Sequence, residues 1–235
     1  NTMNISLNDL RKISVFQHAT DADLDLILKN SIVRSIEEGE YFFLQGDEAK
    51  YLYVLVTGQV KLMQSNPNGQ QVNLRTIYPW QMFGALGATR GKDAIYPAMA
   101  QTLECSTAIA IPSHFLRTMM ETRSYLSFDL MNLMTTYIQE LQTRYREIAT
   151  NRVEQRIANA LIRLAQQSGI RSGKDAGIEL FFSRKDVSEM TGATVFSVSR
   201  LISEWERKSI IKAGRERIQI LDPHALMQIA EGHKE

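Results

Sequence analysis

Of 235 residues only one, Cys105, is a cysteine, so the chain cannot close an internal disulfide or ligate an iron–sulfur cluster by itself. No apolar run approaches the roughly 20 residues that cross a bilayer, and no charged-then-apolar leader opens the sequence. With the lone cysteine, this leads us to expect a cytoplasmic protein with no membrane partner, and Cys105 itself, in a strand-like run, to be a buried small hydrophobe. The four histidines, His18, His114, His224 and His233, have neither zinc spacing nor the pairing that a cupin-like metal oxygenase requires. A nucleophile elbow, a P-loop, a dinucleotide fingerprint and an H-E-x-x-H helix are all missing, and the chain reads as a non-enzyme. Charge of one sign is lacking too, with 27 Lys and Arg against 26 Asp and Glu. The balance shifts along the chain: residues 1–124 carry 11 basic against 12 acidic side chains, residues 171–217 carry 10 against 7. The positive bias therefore lies toward the C-terminal side, where a nucleic-acid partner would be met.

The most informative stretch is residues 183–221. Ser183 can cap a short helix with Asp186 three residues on, Val187 and Met190 give that helix an inner face, and Gly192 ends it. Thr194 can cap a second helix in which Val198, Leu201, Ile202 and Trp205 recur at helical spacing. Two short helices around a tight glycine turn form the pattern of a helix-turn-helix DNA reader. Val195, Phe196, Ser197, Ser199 and Arg200 then fall near the start of the second helix, where such helices meet base edges. Arg200 can reach guanine O6 and N7, and Ser197 and Ser199 can reach base edges or phosphate. Residues 210–212 and 217–220, around Ala213-Gly214-Arg215, read as the wing, with Arg215 a phosphate candidate.

Upstream, residues 6–30 suggest one or two short helices. Short β runs follow at 33–36, 41–44, 52–57, 59–64, 71–77, 98–102 and 106–111, separated by glycine turns of which Asn68-Gly69 is the strongest hairpin signal. Their number and spacing suggest a jelly-roll-like β-roll. From 125 to 149 the pattern is helical, and Leu130, Met134, Tyr137, Leu141 and Ile148 step along it as a narrow coiled-coil seam. Thr150-Asn151 should interrupt the helix before Ile157, Leu161 and Leu164 begin a second core. The expected class is α+β: a sensor β-roll (1–124), a dimerisation helix (125–149) and a winged helix-turn-helix (150–235).

This layout resembles the cyclic AMP receptor protein/FNR family of bacterial transcription regulators. The likeness spans nearly the whole chain, and its most specific parts are Glu38-Gly39-Glu40, Gln45-Gly46-Asp47, Val56-Thr57-Gly58-Gln59-Val60 and residues 183–211. It implies a homodimer on an inverted-repeat site in double-stranded DNA, work through RNA polymerase, and control by an effector in the β-roll. It also implies phosphate contacts for Ser183, Arg184 and Lys185. The family often carries Glu where Phe196 stands.

Members that bind cyclic nucleotides carry a cassette of the form F-G-E-L…R-[ST]-A. Here the effector-pocket segment reads Phe83-Gly84-Ala85-Leu86 and then Tyr96-Pro97-Ala98. The ribose-holding Glu has become Ala85, the phosphate-holding Arg has become Tyr96 and the hydroxyl residue has become Pro97. A buried anionic phosphate without its charged partner costs several kcal/mol, so cyclic AMP is not the expected effector. The run T-V-F-S-V-S-R-L-I-S-E-W-E looks like those of nitrogen-oxide-responsive regulators, some of which hold haem. His18 and His114 are the candidate axial ligands, and haem is the cofactor this resemblance raises. The alternatives are a constitutive DNA-binding regulator with a vestigial sensor domain and a cyclic-nucleotide regulator with an atypical pocket.

Overall fold

A computed structural model describes residues 5–69, 71–91, 93–168, 170–171 and 177–232; His233 lies outside them. The chain forms two compact units, residues 1–139 and 140–235.

The first unit opens with α1 (Leu7–Leu10), a 3-10 turn at Ser14–Phe16 and α2 (Asp21–Lys29). Ser6 and Asp9 form a capping box on α1, and the Thr20 hydroxyl accepts from the Asp23 N–H to cap α2. Eight strands follow: β1 (Ile32–Ile36), β2 (Tyr41–Phe43), β3 (Tyr51–Thr57), β4 (Val60–Ser65), β5 (Gln71–Ile77), β6 (Met82–Phe83), β7 (Met99–Thr102) and β8 (Ser106–Pro112). They form two antiparallel sheets, ordered β1-β8-β3-β6 and β2-β7-β4-β5. The two-residue β6 and the one-turn helix α3 (Ala85–Ala88) carry too few residues for a periodic signal, and the sequence pattern did not separate them.

Strand alternation sorts the cores. On β3, Leu52, Val54 and Val56 point one way and Tyr53 and Leu55 the other; on β8, Ile109 and Ile111 oppose Ala108 and Ala110 in the same manner. The aliphatic face packs under α1, α2, α4 (Ser113–Thr122) and the start of α5 (Ser124–Thr150), through Leu24, Ile27, Leu116, Met119, Leu126 and Leu130. The inner face is aromatic. Asp23 of α2 receives Arg123 and the Tyr125 hydroxyl, which ties the α4–α5 junction to the N-terminal helices. Burial alone would raise the Asp23 carboxyl; these donors outweigh it and hold its pKa below the usual value.

Two expectations are corrected here. Cys105 is exposed in the bend between β7 and β8, because the strand ends at Thr102. Part of the stripe expected as a dimer seam faces the roll instead. Leu130 and Met134 pack into the aliphatic core of their own roll, and Tyr137 lies under the Arg75 guanidinium (3.9 Å) with its hydroxyl donating to the Met82 carbonyl at 3.2 Å. Of that seam only Leu141 and Ile148 are exposed. The exposed apolar side chains of α5 are instead Phe128, Met131, Ile138, Leu141, Tyr145 and Ile148.

The second unit holds the end of α5, then α6 (Val153–Ser168), β9 (Ile170–Arg171), β10 (Ile178–Leu180), α7 (Arg184–Thr191), α8 (Val195–Arg207), β11 (Ile211–Ala213), β12 (Ile218–Ile220) and α9 (Pro223–Glu231). The wing is a four-stranded sheet, β11-β12-β10-β9, wider than the two-stranded hairpin expected. Its core draws Leu161 from α6, Leu180 from β10, Val187 from α7, Ile202 and Trp205 from α8, and Leu226 from α9. The helix does break at Asn151-Arg152, but the units divide earlier, between Gln139 and Glu140. Arg163 Nη1 donates to both Glu147 oxygens (2.6 and 2.8 Å), while Arg156 donates to the carbonyls of Asn151 and Thr191. These guanidinium contacts fasten the last turns of α5 to the C-terminal unit.

Gly58 offers a sharp test of the roll. It sits at φ 90, and a Cβ there would come within 2.3 Å of Ser106 Oγ and 2.8 Å of the Cys105 carbonyl. Gly39 has φ 80 with nothing within 4 Å. Gly58→Ala should cost about 3 kcal/mol or more, the left-handed penalty plus a backbone clash, and Gly39→Ala only about 1–2 kcal/mol. Urea unfolding of both variants checks the ranking.

Candidate nucleic-acid interface

The reading helix is set by local chemistry. Ser183 accepts from the Asp186 N–H (3.1 Å) and donates to the Asp186 carboxylate (2.6 Å), a complete capping box on α7. Gly192, at φ 65, turns the chain in the left-handed region, and Thr194 accepts from the Ser197 N–H (3.1 Å) to cap α8. Val198, Leu201, Ile202 and Trp205 are buried, so the opposite face is presented. On it Phe196 is 79% exposed, Val195 46%, and Arg200 is exposed. Ser197 and Ser199 are half-buried, and the Ser197 hydroxyl already receives a hydrogen bond from Thr194. Lys185 is exposed near Glu189 (3.7 Å), Arg184 is half-buried, and Arg215 is exposed in the wing turn. The Ser183 hydroxyl is spent on the cap, so of the three phosphate candidates around α7 the two cations are the ones that act at long range.

Inside the roll the alanines Ala100, Ala108 and Ala110 leave space that rings occupy. Phe43 stacks on Tyr96 with centroids 3.7 Å apart, and Tyr53 stacks on Phe83 at 5.1 Å, with Phe42 edge-on to Phe83 at 5.2 Å. Tyr96 is 2% exposed. Its hydroxyl donates to the Tyr51 carbonyl (2.5 Å) and accepts from the Tyr51 N–H (3.1 Å). Burial pushes the Tyr96 phenol far up, so it is neutral at any physiological pH. Of the other pocket candidates, Phe83, Ala85 and Ala98 are buried, Gly84 takes φ 78 ahead of α3, Pro97 accepts from Gln64 Nε2, and Leu86 points outward, exposed. Phe43 and Tyr51 were not singled out by the sequence, since their role arises only once β2 and β3 bring them beside Tyr96.

The two candidate haem ligands lie apart from that interior. His18 Nδ1 faces the buried Asp129 carboxylate of α5 (3.0 Å), and His114 is exposed on α4. Among the described residues no group of three or more His, Cys, Asp and Glu could hold a metal ion, and no helix is long and apolar enough to cross a membrane.

Residues 33–123 match the cyclic nucleotide-binding domain model and residues 155–229 the Crp-like helix-turn-helix domain model. The chain belongs to the CRP/FNR family of transcription regulators. It is 26% identical to the global nitrogen regulator of Synechococcus elongatus, over 83% of this chain and 88% of that one. It is 27% identical to the transcriptional activator protein anr of Pseudomonas aeruginosa, over 90% and 85%. In fold it is similar to the c-di-GMP responsive regulator CLP of Xanthomonas campestris (TM-score 0.75, 16% identity, 86% of this chain and 99% of that one). A CRP-family regulator from Thermus thermophilus gives a TM-score of 0.70 at 23% identity, over 84% and 96%. The protein is thus a DNA-binding transcription regulator, not an enzyme, with a cyclic-nucleotide-binding-like domain ahead of its reader.

Two variants separate base reading from backbone binding in this regulator. Arg200→Ala should cost about 1–3 kcal/mol on a selected site and little on scrambled DNA. Arg184→Ala should weaken both equally and flatten the salt dependence, because a phosphate contact carries no base information. Binding isotherms on both duplexes at two salt concentrations check the pair.

Proposed function

We propose that two copies of the regulator pair along α5 and place their α8 helices in successive major grooves of an inverted-repeat operator, acting there through RNA polymerase. The observation that carries this reading is the apolar stripe of α5. Met131, Ile138 and Tyr145 recur every seven residues on the helix and stay exposed, as do Leu141 and Ile148 one heptad apart. Water-facing apolar side chains at that period are what a parallel coiled coil buries. A two-fold dimer then demands a two-fold site with half-sites about one helical turn apart.

The signal it answers is, in this reading, a small effector other than a cyclic nucleotide. Where relatives of the nucleotide-binding kind carry an arginine, Tyr96 fills the roll with its ring and spends its hydroxyl on Tyr51. Position 96 therefore offers no guanidinium of its own to an anionic phosphate. We do not extend the proposal to haem. Among the described residues the cluster packed inside the roll includes no His, Met or Cys, and His18, although held by Asp129, lies outside it. Effector binding would shift the population between dimers with matched and mismatched reading helices.

Ile138→Glu would set two carboxylates face to face in the apolar seam and should convert the dimer to monomer in sedimentation equilibrium. Leu141→Glu should weaken it in the same direction, and an unchanged dimer for both would sink the assembly. Calorimetric titration of the wild type with cyclic AMP should give no binding at micromolar concentrations.

A further inference from the structure

Among the described residues Phe196 is the most exposed apolar side chain of the DNA-binding unit, and its place in the fold gives no structural reason for it. It does not cap α8, a task done by Thr194, and it is absent from the buried set of Val198, Leu201, Ile202 and Trp205. Arg200 lies four residues on, one turn along the same exposed face. The first acidic residue of α8 is Glu204, so this end of the helix presents an apolar ring and a cation without any carboxylate.

Resting on the reading of α8 as a base reader, we propose that Phe196 recognises a C5-methyl group, so that each half-site carries a thymine beside the guanine taken by Arg200. A helix about 10–12 Å across enters the major groove, about 12 Å wide, and not the minor groove of about 6 Å. The phenyl ring has no donor or acceptor. The one apolar feature on the major-groove edges is the thymine methyl. Four residues of helix span about 6 Å, and base pairs are stacked about 3.4 Å apart, so the methyl and the guanine lie within two base pairs of each other. A carboxylate at this position would accept from the cytosine amino group; the ring removes that preference and replaces it with a shape contact. The same contact accepts 5-methylcytosine, whose methyl occupies the same place in the groove.

The test begins by selecting sites from a random duplex library with the full chain. The expected product is an inverted repeat with one thymine per half-site within two base pairs of a guanine. Replacing that thymine by deoxyuridine, which removes only the methyl, should weaken binding about fourfold per half-site, the burial of one methyl group converted to affinity. Phe196→Ala should bind thymine and uracil sites equally. Cytosine at that position should bind worse than 5-methylcytosine for the wild type, and Phe196→Glu should shift the selected base toward cytosine. If uracil binds as well as thymine at every half-site position of the wild type, the methyl reading is overturned. If no inverted repeat is enriched at all, the dimeric base-reading function fails, and this inference with it.

Discussion

The period-two alternation of β3 and β8 is the constraint on which the N-terminal unit depends. β3 contributes Leu52, Val54 and Val56 to one face and Tyr53 and Leu55 to the other, while β8 contributes Ile109 and Ile111 to the first and Ala108 and Ala110 to the second. The aliphatic face can be buried only under helices, and α1, α2, α4 and the first turns of α5 are laid on it. That choice rotates α5: once Leu126 and Leu130 face the roll, Phe128 and Met131 must face away. The stripe proposed for the dimer is thus a by-product of how the same helix satisfies its own subunit.

The other face decides what the roll can hold. Alanines on β7 and β8 leave a volume that Phe42, Phe43, Tyr53, Phe83 and Tyr96 fill ring on ring. Interiors are packed at close to crystal density, so a ligand enters such a space only by displacing side chains. An effector that acts here has to move a ring, and the Tyr96–Tyr51 hydrogen bonds are then the contacts it must break. Signal and rearrangement would be coupled in one step.

In the DNA-binding unit the division of labour is by residue type. Short polar side chains, Ser183, Asp186 and Thr194, are consumed in ending and starting helices. The large side chains Val195, Phe196 and Arg200 are left to face outward from a helix whose inner side is locked by Trp205 and its neighbours. Arg156 and Arg163 meanwhile bind the end of α5 to α6 and α7, so the interruption expected at Thr150-Asn151 lies inside a unit rather than between two. A helix break is visible in sequence, but whether it bends depends on side chains that arrive from elsewhere in the fold.

Much was legible in the amino-acid sequence. The caps at Ser183 and Thr194, the glycine turns at Gly69 and Gly192, most of the strands and the inner positions of α8 are local or periodic features, and local energetics dictate them. The tyrosine at position 96, where the family resemblance implies a phosphate-binding arginine, was equally plain from the chain. What only the tertiary structure decided was which of two interleaved stripes on α5 faces the roll, since Leu130-Met134-Tyr137 and Met131-Ile138-Tyr145 have the same period and similar hydrophobicity. The exposure of Cys105, the filling of the roll by Tyr96, and the fastening of α5 to the C-terminal unit were settled in the same way. Each depends on partners distant in sequence, Phe43 and Tyr51 for Tyr96 and Arg163 for Glu147, and periodicity along one segment carries no information about what will be packed against it.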